Sequence, residues 1–240
     1  MKTLQPFLVN GYSWRRSFAD VTVSVIKEPA STMQSSDDGR DMESLLSTLQ
    51  VVTANGFGIP LENRSADGVR KHIEQVDGLA FLHTQDRVLG FASALTHPED
   101  GVFYLHGVVI DSSWQGKGRA RALVRELVRS IPCGKMAFTT QNPQMYGFMR
   151  SFCDTVYPSP GMSAVPEHLH ALGEKLVRNR TGVFDPSTFV MRDLYSKCLY
   201  ERLPTSSDPV VNKWFERTLE CKEGTTRNAF LFVGENVNPV

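Results

Sequence analysis

The chain has 240 residues, 41% of them hydrophobic and 22% charged, with 26 basic and 26 acidic side chains. That size and balance fit one large domain, or a domain with an addition, and a sizeable core. Zero formal net charge argues against a general nucleic-acid or membrane surface, and apolar runs of about five residues such as Ala229 to Val233 fall far short of a membrane span.

Residues 1 to about 19 show no clear period and read as an arm. Phe7-Leu8-Val9 is too short for a signal-peptide core, and Trp14-Arg15-Arg16 follows it. Val21 to Ile26 alternates and reads as a first strand. Pro29 to Arg40, rich in Ser, Asp and Gly, reads as a loop. Met42, Leu45, Leu46, Leu49 and Val52 recur at helical spacing, which predicts a helix from Asp41 to about Thr53. Asn55 to Pro60 breaks it. Ser65-Ala66-Asp67 caps a second helix carrying Val69, Ile73 and Val76.

Gly78 to His83 and Val88 to Leu95 read as a hairpin turning at Gln85-Asp86, and Pro98 to Gly101 is a further turn. Val102 to Ile110 is β-branched and aromatic enough for a buried strand. A helix from about Lys117 carries Ala120, Leu123, Val124, Leu127, Val128 and Ile131 on one face, and Pro132 stops it. Lys135 to Thr140 is a strand expected to run parallel to its predecessor. Asn142-Pro143 opens a short helix to about Phe152.

The last third is less regular. Val165, Leu169, Leu172 and Leu176 form a helical stripe behind Pro166. Asp185-Pro186 is a turn, and Thr188 to Tyr195 a candidate strand. Asp208-Pro209 caps a helix carrying Val210, Val211, Trp214, Phe215 and Leu219. Asn228 to Val233 is a strand. Cys133, Cys153, Cys198 and Cys221 lie far apart with no Cys-x-x-Cys pair, so neither zinc nor a disulfide framework is suggested. The expected setting is the cytoplasm, with reduced thiols.

One stretch combines strand, glycine turn and helix: His106 to Ile110, then Gln115-Gly116-Lys117-Gly118-Arg119-Ala120. A glycine turn that opens a helix presents free N–H groups to a phosphate. The phosphate-loop pattern fails here, because Asp111 replaces its first Gly and Gly118 its Ser or Thr. The dinucleotide pattern fails at Arg121, where Gly is required. The pattern Gln/Arg-x-x-Gly-x-Gly/Ala does fit, with Trp114 before it. This stretch resembles motif A of the GNAT acyltransferase superfamily.

That resemblance implies a mixed, mainly antiparallel central sheet flanked by helices, in the α/β (α+β) class. It covers residues 20–158 as an acyl-CoA-binding core. Residues 1–19 would be an arm, and 159–240 an extension with inserted helices and closing strands. It also implies acetyl-CoA as the acyl donor, with no metal. The backbone of Val108, Val109 and Ile110 would align the pantetheine arm, splayed by a bulge from the next parallel strand. The amides of Gln115, Gly116, Lys117, Gly118, Arg119 and Ala120 would take the pyrophosphate, with charge added by Lys117 and Arg119. Asn142 would cap its helix and touch pantetheine. The segment from Phe57 to Leu61 would form part of the acceptor wall.

Acyl transfer to an amine also needs a base and an acid. His106 lies nine residues before Gln115, where arylalkylamine N-acetyltransferases of this superfamily carry a His, and its usual pKa of about 6.5 suits the base role. Many members carry the acid as a Tyr seven residues after the helix-opening Asn. Here that position is Met149, which leaves Tyr146 as the candidate, with Tyr157 and Cys153 behind it. Arg121, Arg125 and Arg129 form a stripe that reads as a solvated helix face. His168 and His170 fall on different faces and do not suggest a metal.

The expected activity is acetyl transfer from acetyl-CoA to a small-molecule or peptide amine, with no nucleic-acid or membrane partner. Two alternatives stand beside it. One is a non-catalytic acyl-CoA-binding or protein-interaction module. The other is a regulator in which residues 160–240 form a homodimer surface.

Overall fold

The computed structural model describes residues 14–18, 21–34, 39–63, 66–200 and 203–238. Its contacts divide the chain into two units. One comprises Met1–His97 and Phe103–Pro132, the other Pro98–Val102 and Cys133–Asn238.

In the first unit five strands follow one another across the sheet: β1 (Trp14–Phe18), β2 (Val21–Lys27), β3 (Gly78–His83), β4 (Val88–His97) and β5 (Val102–Ile110). The pairs β1/β2, β2/β3 and β3/β4 are antiparallel. Trp14–Phe18, within the span read as an arm, forms a strand at the edge of the described sheet, with Trp14 opposite Val25. Its two arginines had hidden the alternation. Residues 1–13, 19 and 20 lie outside the described residues.

The segment read as a loop after Pro29 holds a short helix, α1 (Pro29–Gln34), with proline in the first turn, where its missing N–H costs nothing. Next come α2 (Gly39–Phe57) and α3 (Ala66–Glu74). Gly58, at φ +66°, closes α2. The Gly58 N–H bonds to Asn55 O at 3.3 Å and the Ile59 N–H to Ala54 O at 3.0 Å, which satisfies the last carbonyls.

Alternation along β3 explains how the sheet is covered. Leu79 and Phe81 join Leu45, Leu46, Leu49, Val69 and Ile73 in one core, under α2 and α3. Gly78, pointing the other way, faces Leu127 and Ile131 at the end of α4 (Arg119–Ser130). Leu123, Val124 and Leu127 of α4 are all fully buried. Being covered on both sides, β3 is buried from end to end.

The second unit is organised around β10 (Ala229–Val237). One edge of β10 pairs antiparallel with β6 (Lys135–Thr140), placing Phe230 opposite Thr140. β7 (Cys153–Tyr157) and β9 (Val190–Arg192) also pair antiparallel with β10, and β8 (Val183–Asp185) lies outside β9. β7 and β8 were not read from sequence. They are short, and Asp154 and Thr155 on β7 are exposed, so neither strand shows an apolar alternation. The span expected as strand from Thr188 to Tyr195 shortens to β9.

Two helices pack aromatic rings here: α5 (Gln144–Arg150) and α7 (Pro209–Thr218); α6 (His170–Val177) follows the Pro166 turn. Trp214 stacks on Phe230 at 4.5 Å, and Phe215 meets the same ring edge-on at 4.8 Å. The Asp208 carboxylate accepts from Val210 N at 2.8 Å and Val211 N at 3.4 Å, capping α7. The registers described in both units are antiparallel and helices pack on the sheets, which is the expected mixed α/β architecture.

A candidate phosphate corner and a histidine stack

β5 ends at Ile110, and a single 3-10 turn (Ser112–Trp114) leads into the glycine pair before α4. The turn is tied down on several sides. Asp111 N–H donates to Leu89 O at 2.8 Å. The Asp111 carboxylate accepts from Ser113 N and Oγ, and from Asn55 Nδ2 at 2.9 Å. Burial alone would raise the Asp111 pKa, but the bonds from Ser113 and Asn55 outweigh it and hold the pKa below the usual value. Gln115 Nε2 donates to Ile110 O at 2.9 Å and to Gly56 O at 3.0 Å. Arg119 lies over the Trp114 ring at 4.3 Å and donates to Trp114 O at 3.3 Å.

Gly116 and Gly118 adopt φ +79° and +69°, a region that L side chains enter only at a cost. α4 accordingly starts at Arg119, two residues later than its apolar pattern suggested, with Gly118 as its N-cap. The Gln115 N–H turns back to Ser112 O at 3.4 Å. Beyond it, the N–H groups of Gly116, Lys117, Gly118 and Ala120 donate to no other described residue. Residues 116–118 are exposed, and a Cβ built on either glycine meets nothing within 4 Å. The corner is thus open, and it stands at the N-terminus of a 12-residue helix. Of the arginine stripe on α4, Arg129 pairs with the buried Glu126 at 3.1 Å and Arg121 is exposed.

β5 is buried at both ends but only half-buried from His106 to Val108, while Val109 and Ile110 are buried again. His106 does not stand by itself. Its ring stacks on His72 of α3, with centroids 4.3 Å apart and planes inclined by 23°. The His72 Nε2 lies 2.6 Å from the Oγ of Ser93, a fully buried residue on β4. Phe91 meets His72 edge-on at 6.5 Å. Gly107 leaves room for the ring, because a Cβ there would fall 3.2 Å from His72 Cε1 and crowd it.

His72 and Ser93 were not singled out in the sequence, though both left a trace. His72 sits three residues after Val69, on the rim of the apolar face of α3. Ser93 is a small polar residue at a fully buried strand position.

Asn142 and Tyr146 belong to the second unit. The Asn142 Oδ1 accepts from Gln144 N at 2.9 Å, at the start of α5, and its side chain also bonds to Tyr200. Burial pushes the Tyr200 hydroxyl up to about 12, against the opposing effect of that bond. Gln141, fully buried, donates to Thr226 O at 2.7 Å and accepts from Leu199 N at 3.0 Å, which holds the Tyr200 segment near β6. The Tyr146 ring packs against Trp214 at 5.6 Å and Phe232 at 5.8 Å, and burial raises its pKa. Met149 is completely buried, 3.7 Å from the Cys153 sulfur. Burial holds that thiol at about 12. His170 Nε2 lies 3.0 Å from Val165 O. A cleft of about 650 Å³ in this unit is lined by Pro158, Met162, Val165, Lys213, Trp214 and Arg217.

Residues 56–152 match the sequence model of the Acetyltransferase (GNAT) family. No curated protein matches the sequence. Similar solved structures include a Pyrococcus horikoshii protein provisionally described as an acetyltransferase, at 10% identity and TM-score 0.43, over 57% of this chain and 43% of that one. The chain thus spans less than half of that protein's length. Tetrahymena GCN5 is 10% identical with TM-score 0.43, over 65% of this chain and 89% of its own. Diaminobutyrate acetyltransferase EctA from Paenibacillus lautus is 16% identical with TM-score 0.40, over 60% and 86%. Among the described residues no helix is long and apolar enough to cross a membrane.

Proposed function

We propose that the protein is an acyl-CoA-dependent N-acyltransferase, transferring acetyl from acetyl-CoA to an amine by direct attack. The observation that carries this reading is the open corner of Gly116, Lys117, Gly118 and Ala120, whose N–H groups donate to no other described residue and stand at a helix start suited to a diphosphate. In this proposal residues 20–158 form the acyl-CoA-binding core, and 159–240 add the closing strands with their inserted helices.

Acetyl-CoA, when bound, supplies the activated acyl carbonyl. Gly116, Lys117, Gly118 and Ala120 present main-chain donors to its diphosphate. Gln115 holds the corner through its side chain, and Arg119 adds charge while stacked on Trp114. Along β5 the backbone of Val108, Val109 and Ile110 aligns the pantetheine arm, and an N–H there polarises the carbonyl. Asn142 contributes a further contact to that arm.

His106, half-buried on β5, takes the proton of the attacking amine. Tyr146 returns a proton to the departing sulfur; because burial raises its pKa, its hydroxyl stays protonated at neutral pH. The acceptor is a small-molecule or peptide amine.

A second reading, binding of acyl-CoA without turnover, is favoured by one observation. Met149 fills the usual Tyr position as core, with no exposed surface and no proton to give. Calorimetry with coenzyme A, followed by thiol release from acetyl-CoA across an amine panel, separates the two. Binding with turnover supports the enzyme, binding alone supports the module, and no binding overturns both. Replacing His106 with Ala is expected to lower kcat at least 10-fold while coenzyme A affinity holds.

A further inference from the structure

We propose that His72 is a positioning residue for His106, and that Ser93 in turn fixes His72. This rests on the reading of His106 as the base. Three contacts immobilise the His72 ring. Ser93 Oγ holds Nε2 at 2.6 Å, Phe91 stands edge-on at 6.5 Å, and His106 lies flat against its face at 4.3 Å.

The direction of control follows from burial. Ser93 has no exposed surface and cannot act as a nucleophile. A buried hydroxyl must keep a hydrogen-bond partner, and the His72 Nε2 provides one. That bond sets which way the His72 plane faces. His106, half-buried on β5, is the ring read as the base, and the anchored face of His72 decides its angle. Gly107 completes the arrangement. It is the one residue between His106 and Val108, and any side chain there would press on His72 Cε1 and Nε2 at 3.2 and 3.3 Å. Base, spacer and platform thus come from β5 and α3, while the anchor comes from β4.

The test needs no knowledge of the acceptor. In the full chain with ¹⁵N-labelled histidine, the His106 ring signals are assigned by their loss in His106→Asn. His72→Ala removes the platform. Gly107→Ala leaves both histidines in place and pushes the platform aside, and Ser93→Ala removes only the anchor. All three are expected to move the His106 Hε1 resonance downfield, as the stacked ring leaves. His72→Phe keeps a flat ring and is expected to retain most of the upfield position.

His106 signals unchanged in His72→Ala and Gly107→Ala, with both chains folded, would overturn the proposal. Kinetics tell its failure apart from failure of the base assignment. His106→Ala turning over like the native chain sinks the base role, yet leaves the ring signals to report on His72. With the base role intact, His72→Ala should lower kcat several-fold with the KM for acetyl-CoA unchanged, whereas a rise confined to that KM counts against positioning.

Discussion

The side-chain amide of Gln115 bonds to the carbonyl of Gly56, 59 residues earlier in the chain, at 3.0 Å. The last turn of α2 is thereby fastened to the corner that opens α4. Gly56 is suited to this, because a Cβ there would lie 2.4 Å from Val109 Cγ1 and 2.9 Å from Ile110 O.

Gln115→Ala removes two hydrogen bonds at an exposed site and is expected to cost about 1 kcal/mol of stability. Coenzyme A affinity should fall several-fold as the corner loosens. Urea unfolding and calorimetry measure both, and affinity equal to the native chain's would detach Gln115 from cofactor binding. Gly56→Ala should be worse for stability, since backbone and Val109 must both give way.

Gly118→Val places a β-branched residue at φ +69°, a conformation costing about 1–2 kcal/mol for L-residues. Coenzyme A binding is expected to weaken at least 10-fold, with the melting temperature lowered modestly. Gly134→Ala is the control, since a Cβ there meets nothing within 4 Å and its φ is not positive. Native affinity in Gly118→Val would remove the main-chain corner as the diphosphate site.

Alkali is expected to destabilise the second unit. Cys153 and Tyr200 are held at about 12 and Cys221 at about 11, each by burial first. A group whose folded pKa is raised keeps its proton longer folded than unfolded. Its stabilising contribution is therefore whole below the unfolded pKa, about 8.5 for a thiol, and is lost as pH climbs toward the folded value. Melting temperature should fall between about pH 8.5 and 12, and Cys153→Ala should flatten part of that slope. Alkylation at pH 8 followed by mass spectrometry should find Cys153 among the slowest thiols, because the thiolate is the nucleophile. Rapid labelling of Cys153 in the folded chain would contradict its burial.

Phe230→Ala takes one ring out of the cluster with Trp214, Phe215 and Phe232. The expected loss is about 3–5 kcal/mol, read as an early unfolding transition and a blue-shifted Trp emission lost before the rest of the signal. A loss below about 1 kcal/mol would mean that the cluster collapses around the gap.

Where apolar residues set a clear period, sequence and structure agree closely. The Leu45–Leu49–Val52 stripe, the Leu123–Leu127 face and the alternation of Val21–Ile26 each fold as their spacing dictates. The glycine corner was legible too, because only a few turn geometries place Gly at both 116 and 118. The contacts made by side chains across space were not. Nothing local in α3 tells that His72 will lie on His106, since the contact joins a helix to a strand more than thirty residues away. Nor does Gln115 advertise Gly56 as its acceptor. The closing strands were recognised singly at Asn228–Val233, but their partners are chosen by aromatic packing between distant segments, which no window of sequence contains. Trp14–Phe18 was missed because an edge strand can carry arginines on either face.

β10 supplies bonds to β6, β7 and β9, strands that precede it by as many as a hundred residues or so. During synthesis on the ribosome those three must wait, edges unsatisfied, until the segment around Phe230 has emerged from the exit tunnel. Assembly of this half is therefore a late event governed by sequence-distant pairing, and a nascent chain stalled before β10 is the form most exposed to aggregation.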